Sequence, residues 1–383
     1  MNTDNSMEWL CKLENEHKYF AQILLIIGDL FMSTVPTLNG ITSKMIQTGR
    51  IETHVLFSGA DDGIPVVFIH GNFSSSTYWE ESMLSMPPEY RCIAPDMRGY
   101  GDSEDLPVDA TRGARDWSDD LKALSDKLGE KPAHLVGWSL GAAMIMQFAL
   151  DYPESVLSLT FVSPVSPYGF GGTKGIEGIS CYDDCAGSGG GVVNPEFVRR
   201  LKEGDRSTED PNSPLNVIRS FFFKAPYTAS RENDFLSSSL LEKAGDDRYP
   251  GDMTASENWP NAAPGVWGPI NATCPKYFNA SAIAEMKKKL PVLWVRGDAD
   301  LIVSDNSMFD FGALGKLEYV PGWPGDEIFP PQPMVSQMRA VLDKYKKNGG
   351  VYKEIVVADA GHSPHIEKPE QFMEAFVSFL KRS

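Results

Sequence analysis

Six short runs of almost uninterrupted apolar residues set the terms for this chain: Pro65–His70, Arg91–Pro95, Ala133–Gly137, Ser158–Val162, Pro291–Arg296 and Glu354–Ala358. A strand with one wet face alternates apolar and polar residues. A run without alternation reads as a strand buried on both faces, as in a parallel sheet covered by helices. Helical patterns fall between the runs: Asp116–Leu128, with Trp117, Leu121, Leu124 and Leu128 near helical spacing, then Gly141–Tyr152 and Gln371–Lys381. Alternating strands and helices predict an α/β fold, a parallel sheet with right-handed crossovers. Two earlier runs, Met45–Thr48 and Glu52–Ser58, read as an antiparallel edge pair.

The rhythm breaks once. From Pro164 to Leu290 the chain is rich in Gly, Pro, Ser and aromatic residues and shows no strand–helix alternation. A structureless loop of that length does not suit a compact domain. Residues 164–290 are therefore read as an inserted, mainly helical cap dividing a core of 45–163 and 291–383. A smaller insertion, Pro321–Gly350, starts as a Pro-rich loop and continues as a helix, Met334–Tyr345. Residues 1–44 are read as an N-terminal helical extension. Its apolar stretch Ile23–Met32 is interrupted by Asp29 and is too short to span a bilayer. An acidic lead-in without a small-residue cleavage site argues against a signal peptide. The stretch reads as a docking helix, with an interfacial or homodimer helix as the alternative. The protein is expected to be soluble and cytoplasmic.

The formal net charge of −17 excludes one broad class. A nucleic-acid binder needs a positive footprint to displace counterions from phosphates, and no basic stripe supplies one. The five cysteines are too few and too scattered for a disulfide framework. Cys181 and Cys185 stand close in Cys-Tyr-Asp-Asp-Cys; two free thiols, a bridge and a zinc half-site all remain open there.

Chemistry gathers where strands end. Gly137-Trp138-Ser139-Leu140-Gly141 follows one strand and precedes a helix. That is the setting of a G-x-S-x-G elbow, in which flanking glycines leave room for a strained nucleophile at a helix N-terminus. Ser139 is the expected nucleophile. A serine hydroxyl needs a base in reach. Of six histidines, His362 in Gly361-His362-Ser363 follows the last strand and so lies at the same sheet edge. His365 is the fallback. Asp300, in Gly297-Asp298-Ala299-Asp300 after the strand before, is the expected orienter of the base, with Asp298 as the near alternative. The oxyanion hole is assigned to backbone N–H groups of Leu140 and Asn72, with Phe73 second to Asn72. Phe73 and Trp138 are expected to line the substrate pocket. His362, His365 and Glu367 could be imagined as metal ligands, but nothing else near them has ligand spacing. Neither a metal nor a cofactor is called for.

These residues, with His70-Gly71-Asn72 and Asp96-Met97-Arg98-Gly99-Tyr100-Gly101-Asp102-Ser103, occur in the order of the α/β-hydrolase fold family, which the chain resembles over roughly 45–163 and 291–383. The resemblance implies an eight-stranded, mostly parallel sheet with the active site beneath the cap, and structural roles for Asp96, Arg98 and Gly99. His-Gly-Asn also resembles the haloalkane dehalogenases. Those, like soluble epoxide hydrolases, use an aspartate nucleophile, whereas a serine in that role would form a stable ether. The resemblance narrows to serine members: esterases, lactonases, carbon–carbon bond hydrolases, amidases and cofactor-free haloperoxidases. The inserted region carries Tyr168, Phe170, Phe221–Phe223, Tyr227, Trp259, Trp267, Tyr277 and Phe278, which favour an apolar pocket. No Arg or Lys is evidently placed to hold a substrate carboxylate. The expected activity is hydrolysis of an uncharged ester or lactone with a hydrophobic part. The alternatives are a carbon–carbon bond hydrolase acting on a dienoic keto acid and a ligand receptor on a retained hydrolase fold.

Overall fold

The computed structural model describes residues 33–383. Eight strands form one sheet: β1 (Thr42–Gln47), β2 (Glu52–Gly59), β3 (Ile64–Ile69), β4 (Tyr90–Pro95), β5 (Ala133–Trp138), β6 (Val156–Val162), β7 (Pro291–Gly297) and β8 (Val351–Val357). Their order is β1-β2-β4-β3-β5-β6-β7-β8. β1 pairs antiparallel with β2 and β2 antiparallel with β4; every other pairing is parallel. The fold is that of an α/β hydrolase sheet.

Successive residues of the central strands enter opposite cores. Val67 and Ile69 of β3, Leu135 of β5 and Trp294 of β7 join one cluster, with Trp117, Phe148 and Leu342 from the helices over that face. Val66, Phe68, Val136, Leu293 and Val295 join the other, with Trp79, Phe372 and Phe376. Both sides of each run find apolar partners, which is the physical reason the runs do not alternate. The first face is covered by α1 (Arg115–Leu128), α2 (Leu140–Asp151) and α3 (Met334–Lys347), and the second by residues 76–84 and α4 (Pro369–Leu380). β8 departs from the reading of two buried faces. It is the sheet's last strand, with Val351 and Val356 exposed.

The segment between β6 and β7 holds short helices, among them Pro195–Lys202 and Glu232–Ser239. It also holds three small ladders that the sequence pattern did not announce: Thr173–Lys174 with Ile179–Ser180, Ala244–Gly245 with Tyr249–Pro250, and Met253–Ala255 with Ala262–Pro264. Each is too brief to carry a period. Phe197, Leu201, Phe222, Phe223 and Phe235 of the segment pack into the second core cluster rather than forming one of their own. At the N-terminus, β1 begins at Thr42, inside the stretch read as an extension, and the apolar run Ile23–Met32 lies outside the described residues. The thiols of Cys181 and Cys185 are unbridged. Among the described residues no helix is long and apolar enough to cross a membrane.

Buried amides fix the inserted segment to α3. Gln337 accepts hydrogen bonds from Ser166 Oγ (2.6 Å) and Gln332 Nε2 (2.8 Å), and donates to Thr173 Oγ1 (3.0 Å) and the Gly175 carbonyl (2.9 Å). Gln332 in turn accepts from the Gly171 N–H (2.6 Å) and donates to the Gly169 carbonyl (2.9 Å). Removing a partner from such a buried network leaves groups unsatisfied, at about 1–3 kcal/mol each. Gln337→Ala is expected to lower the unfolding free energy by at least about 2 kcal/mol, read as a shifted midpoint with unchanged slope in urea denaturation.

Candidate active site

A single residue, Ser139, joins β5 to α2, and it does so at φ 56° and ψ −118°. A side chain at Gly137 would lie 2.5 Å from the Gly141 carbonyl oxygen, and one at Gly141 would lie 2.4 Å from that of His70. Both glycines are thus required by close approach of the backbone, as a tight strand-to-helix elbow demands. The Ser139 N–H donates to the Val162 carbonyl (2.9 Å), tying the turn to β6. Leu140 opens α2, where a backbone N–H has no partner within the helix. Ser139 is 7% exposed. Among the described residues its hydroxyl makes no hydrogen bond.

The turn after β8 brings in His362. Its Nδ1 donates to Asp300 Oδ2 at 2.8 Å, and both side chains are buried. Asp300 Oδ1 accepts the backbone N–H groups of Ile302 (2.8 Å) and Val303 (2.9 Å), which fixes the carboxylate. Asp298 serves the neighbouring backbone instead. Its Oδ1 accepts the Asp359 N–H (2.9 Å) and braces the turn that carries His362. His365, the fallback base, lies behind the wall, its ring 4.3 Å from that of Trp79, and burial holds its pKa down to about 3. Glu367 accepts the N–H groups of Gly361 and Lys224, both at 2.7 Å, tying the His362 turn to the inserted segment.

The turn after β3 lies against Ser139. A side chain on Gly71 would come 3.1 Å from Ser139 Cβ. His70 accepts from the Met97 N–H (2.9 Å) through Nε2 and donates to the Gly71 carbonyl (2.8 Å) through Nδ1, and burial lowers its pKa. It shapes the loop. Asn72 Oδ1 accepts the Tyr100 hydroxyl (2.8 Å). The Phe73 carbonyl accepts Ser239 Oγ (2.8 Å), which pairs with the Tyr78 hydroxyl (2.9 Å). Asp96 accepts the N–H groups of Ser76 (2.7 Å) and Asp102 (2.9 Å), and Arg98 holds Asp120 at 2.7 and 2.9 Å; both brace neighbouring loops.

Ser139, Leu140, Asn72, Phe73 and His362 border one cavity of about 570 Å³. Its wall is apolar, with Phe170, Phe221 and Phe222 from the inserted segment. Among the described residues it contains no Lys, Arg, Asp or Glu. Trp138 corrects the sequence reading. It does not border the cavity: it is fully buried, packed against Phe222 and His365, and its Nε1 donates to the His362 carbonyl at 2.9 Å. As the last strand residue before the turn it points into the second core, the same side as Val136. Missed lining residues include Phe197, Tyr249, Phe309 and Phe311. The last two flank the start of a short helix, Phe311–Lys316, in a stretch to which the sequence pattern assigned no element.

The model of the alpha/beta hydrolase family matches residues 66–375. The chain belongs to this family. Among relatives of this hydrolase is epoxide hydrolase 2 of Siraitia grosvenorii, 27% identical over 89% of this chain and 99% of that protein. Another is the 2-hydroxymuconate semialdehyde hydrolase of Pseudomonas sp. (strain CF600), 35% identical over 42% of this chain and 53% of that one. The chain spans about half the length of several curated relatives it matches. Among solved structures, carboxylesterase CesB (YbfK) of Bacillus subtilis superposes with a TM-score of 0.55 at 19% identity, covering 90% of this chain and 92% of that one. That likeness is one of fold.

In this hydrolase the Trp138 indole holds the backbone of His362. Trp138→Phe keeps an aromatic ring and deletes the donor. The His362 carbonyl would be left unpaired in the core, and a stability loss of about 1–3 kcal/mol is expected by chemical denaturation.

Proposed function

We propose that this alpha/beta hydrolase cleaves an uncharged carboxylic ester or lactone with a hydrophobic part, through an acyl-enzyme on Ser139. One observation carries the reading: the cavity bordered by Ser139 and His362 has an apolar wall in which no charged side chain is found among the described residues. Such a wall suits a neutral, apolar ligand and offers an anion no partner.

In the proposed reaction His362 Nε2 takes the Ser139 hydroxyl proton as Oγ attacks the carbonyl carbon. Asp300, bonded to Nδ1, holds the imidazole in the required tautomer and faces the positive charge that develops on it. The oxyanion is met by the N–H groups of Leu140 and Asn72 at the N-terminus of α2 and the neighbouring turn. Collapse expels the alcohol, which takes its proton from His362. Water then attacks the acyl-enzyme with His362 again as base, releasing the acid. The inserted segment acts as the cap over this site.

A carbon–carbon bond hydrolase is the second reading, favoured by relatives such as the Pseudomonas enzyme. Its dienoic keto acid would want a cation in the wall. Epoxide opening on the pattern of the Siraitia relative's name is disfavoured, because that chemistry uses an aspartate where this chain has Ser139. A receptor on the same fold would turn over slowly and be stabilised strongly by its ligand.

The test is hydrolysis of a p-nitrophenyl ester series and a lactone panel by wild type and Ser139→Ala. Wild type is expected to turn over the neutral esters, and the variant to lose about three orders of magnitude or more in kcat. Folded wild type inert on every member, or a variant as active as wild type, would refute the ester reading.

A further inference from the structure

Three phenylalanines in a row, Phe221, Phe222 and Phe223, cannot share one side of a helical turn, where successive residues point about 100° apart. Phe222 and Phe223 pack into the second core. Between ring centroids, Phe222 lies 5.4 Å from Trp138 and 6.1 Å from Tyr78, and Phe223 lies 5.2 Å from Tyr227. Phe221 is left facing elsewhere. It borders the cavity, and its ring meets that of Phe309 edge to face, 4.9 Å between centroids at 89°.

Phe309 comes from a different element, the loop that follows β7. It too borders the cavity, yet it is 38% exposed; Tyr319, another wall residue, is 69% exposed. Side chains that line a cavity and also meet solvent mark where it reaches the surface. The two rings therefore close on each other at an outer end of the cavity, one from the inserted segment and one from the core. Edge-to-face contact at that spacing leaves no passage between them.

Neither ring stands on a loose base. The Phe309 N–H donates to Ser307 Oγ (3.0 Å), which donates to the Ile302 carbonyl (2.6 Å). The buried side chain of Asp310 accepts the N–H groups of Ala313 (3.2 Å) and Gln332 (3.0 Å). The Ile302 N–H donates to Asp300 Oδ1 (2.8 Å), so Phe309 is built on the loop that carries the partner of His362. Across the cavity Phe222 is locked in the core, and Arg219 of the same turn, Ile218–Phe222, donates to both oxygens of Glu232 at 2.6 Å. The fold thus fixes how far the ring pair stands from Ser139, and the size of two side chains decides how far the cavity extends.

We propose that Phe221 and Phe309 are specificity-determining residues: a fixed aromatic stop that limits the length of the apolar chain a substrate carries. The inference rests on the proposed ester hydrolysis and narrows its substrates to esters whose chain ends inside the cavity. Short of the stop, each further methylene of a linear chain is buried and worth up to about fourfold in kcat/KM. At the stop a methylene meets the rings, and the gain ends or reverses. Trimming either ring to alanine moves that end outward.

The experiment measures kcat/KM of wild type, Phe309→Ala, Phe221→Ala, Phe309→Tyr and Leu317→Ala on two linear series, p-nitrophenyl esters of increasing acyl length and n-alkyl acetates followed by acid release. One series keeps the leaving group constant and the other the acyl group, so whichever part reaches the stop is read. Each value is divided by the same variant's value on the shortest member, which cancels effects common to the series. Wild type is expected to rise along one series and then break. Both alanine variants are expected to break at longer chains, gaining about tenfold over wild type beyond its limit, as burial of two more methylenes allows. Phe309→Tyr keeps the ring, and Leu317 is exposed and does not border the cavity; both variants are expected to break where wild type does. Either alanine variant, folded by thermal unfolding but breaking at the wild-type length in both series, would overturn the stop. So would an equal shift in Leu317→Ala, or a wild type without a break in either series. Wild type inert on every member would sink the hydrolase reading and the stop with it, whereas an active enzyme with unmoved breaks sinks only the stop.

Discussion

Ser139 turns the chain from strand to helix in one residue, in a backbone region that a side chain occupies at a cost of order 1–3 kcal/mol. That conformation persists only because its surroundings over-determine it. β5 is paired on both sides, by β3 and β6, and cannot slide. α2 is buried almost throughout its length, from Leu140 to Ala149, and cannot rotate. Gly137 and Gly141 let the two elements and the β3 turn meet at distances no Cβ would permit. The sheet's parallel order then brings the β3 turn, the β7 turn and the β8 turn to the same edge as the serine. Asn72, Asp300 and His362 arrive there by topology, not by sequence proximity.

The inserted segment belongs to this arrangement rather than resting on it. Ser239 from its helix bonds the Phe73 carbonyl, and Lys224 shares Glu367 with Gly361. Each contact ends on one of the turns that border the cavity. A third tie, Arg231 with the buried Glu80 at 3.3 Å, joins the segment to the helix beside β3. The segment thus packs its apolar residues into the second core while its polar residues hold the turns that border the cavity. Its sequence must satisfy both demands, and its short helices and ladders reflect that compromise more than any local propensity.

What was legible in the sequence follows the same division. Strand β3 could be read from Val66-Val67-Phe68-Ile69 because both faces of that run are dry. Chain order brought Asp298 and Asp300 alike to the strand end beside His362; only the folded geometry separates them, with Asp300 on His362 Nδ1 and Asp298 on the Asp359 N–H. The fate of Trp138 was not legible. A residue beside Ser139 in sequence faces away from it when the chain is still extended, so adjacency misled where the two-residue period would have served. The ladders of two or three residues carry no period at all. The cavity wall beyond the core, Phe197, Tyr249 and Phe309, is assembled from three distant stretches with no shared motif. Glu242 shows the limit most clearly. A lone acid in Leu240-Leu241-Glu242-Lys243 reads as surface, and only tertiary packing makes it part of the core.

Charge completes the logic of the site. The protein carries −17 overall, yet the cavity wall is uncharged among the described residues. At a distance the net charge disfavours anions, to a degree that salt screens. Inside, the wall offers a carboxylate no cationic side chain among the described residues. A neutral ester meets neither barrier. The acid formed from it meets both, because hydrolysis turns a neutral acyl group into an anion beside a wall that holds no cation to grip it. In the proposed reaction the same wall that admits the substrate therefore drives out the charged product. A cation placed in the wall to grip a carboxylate would remove that asymmetry, holding the product as firmly as it drew in the substrate.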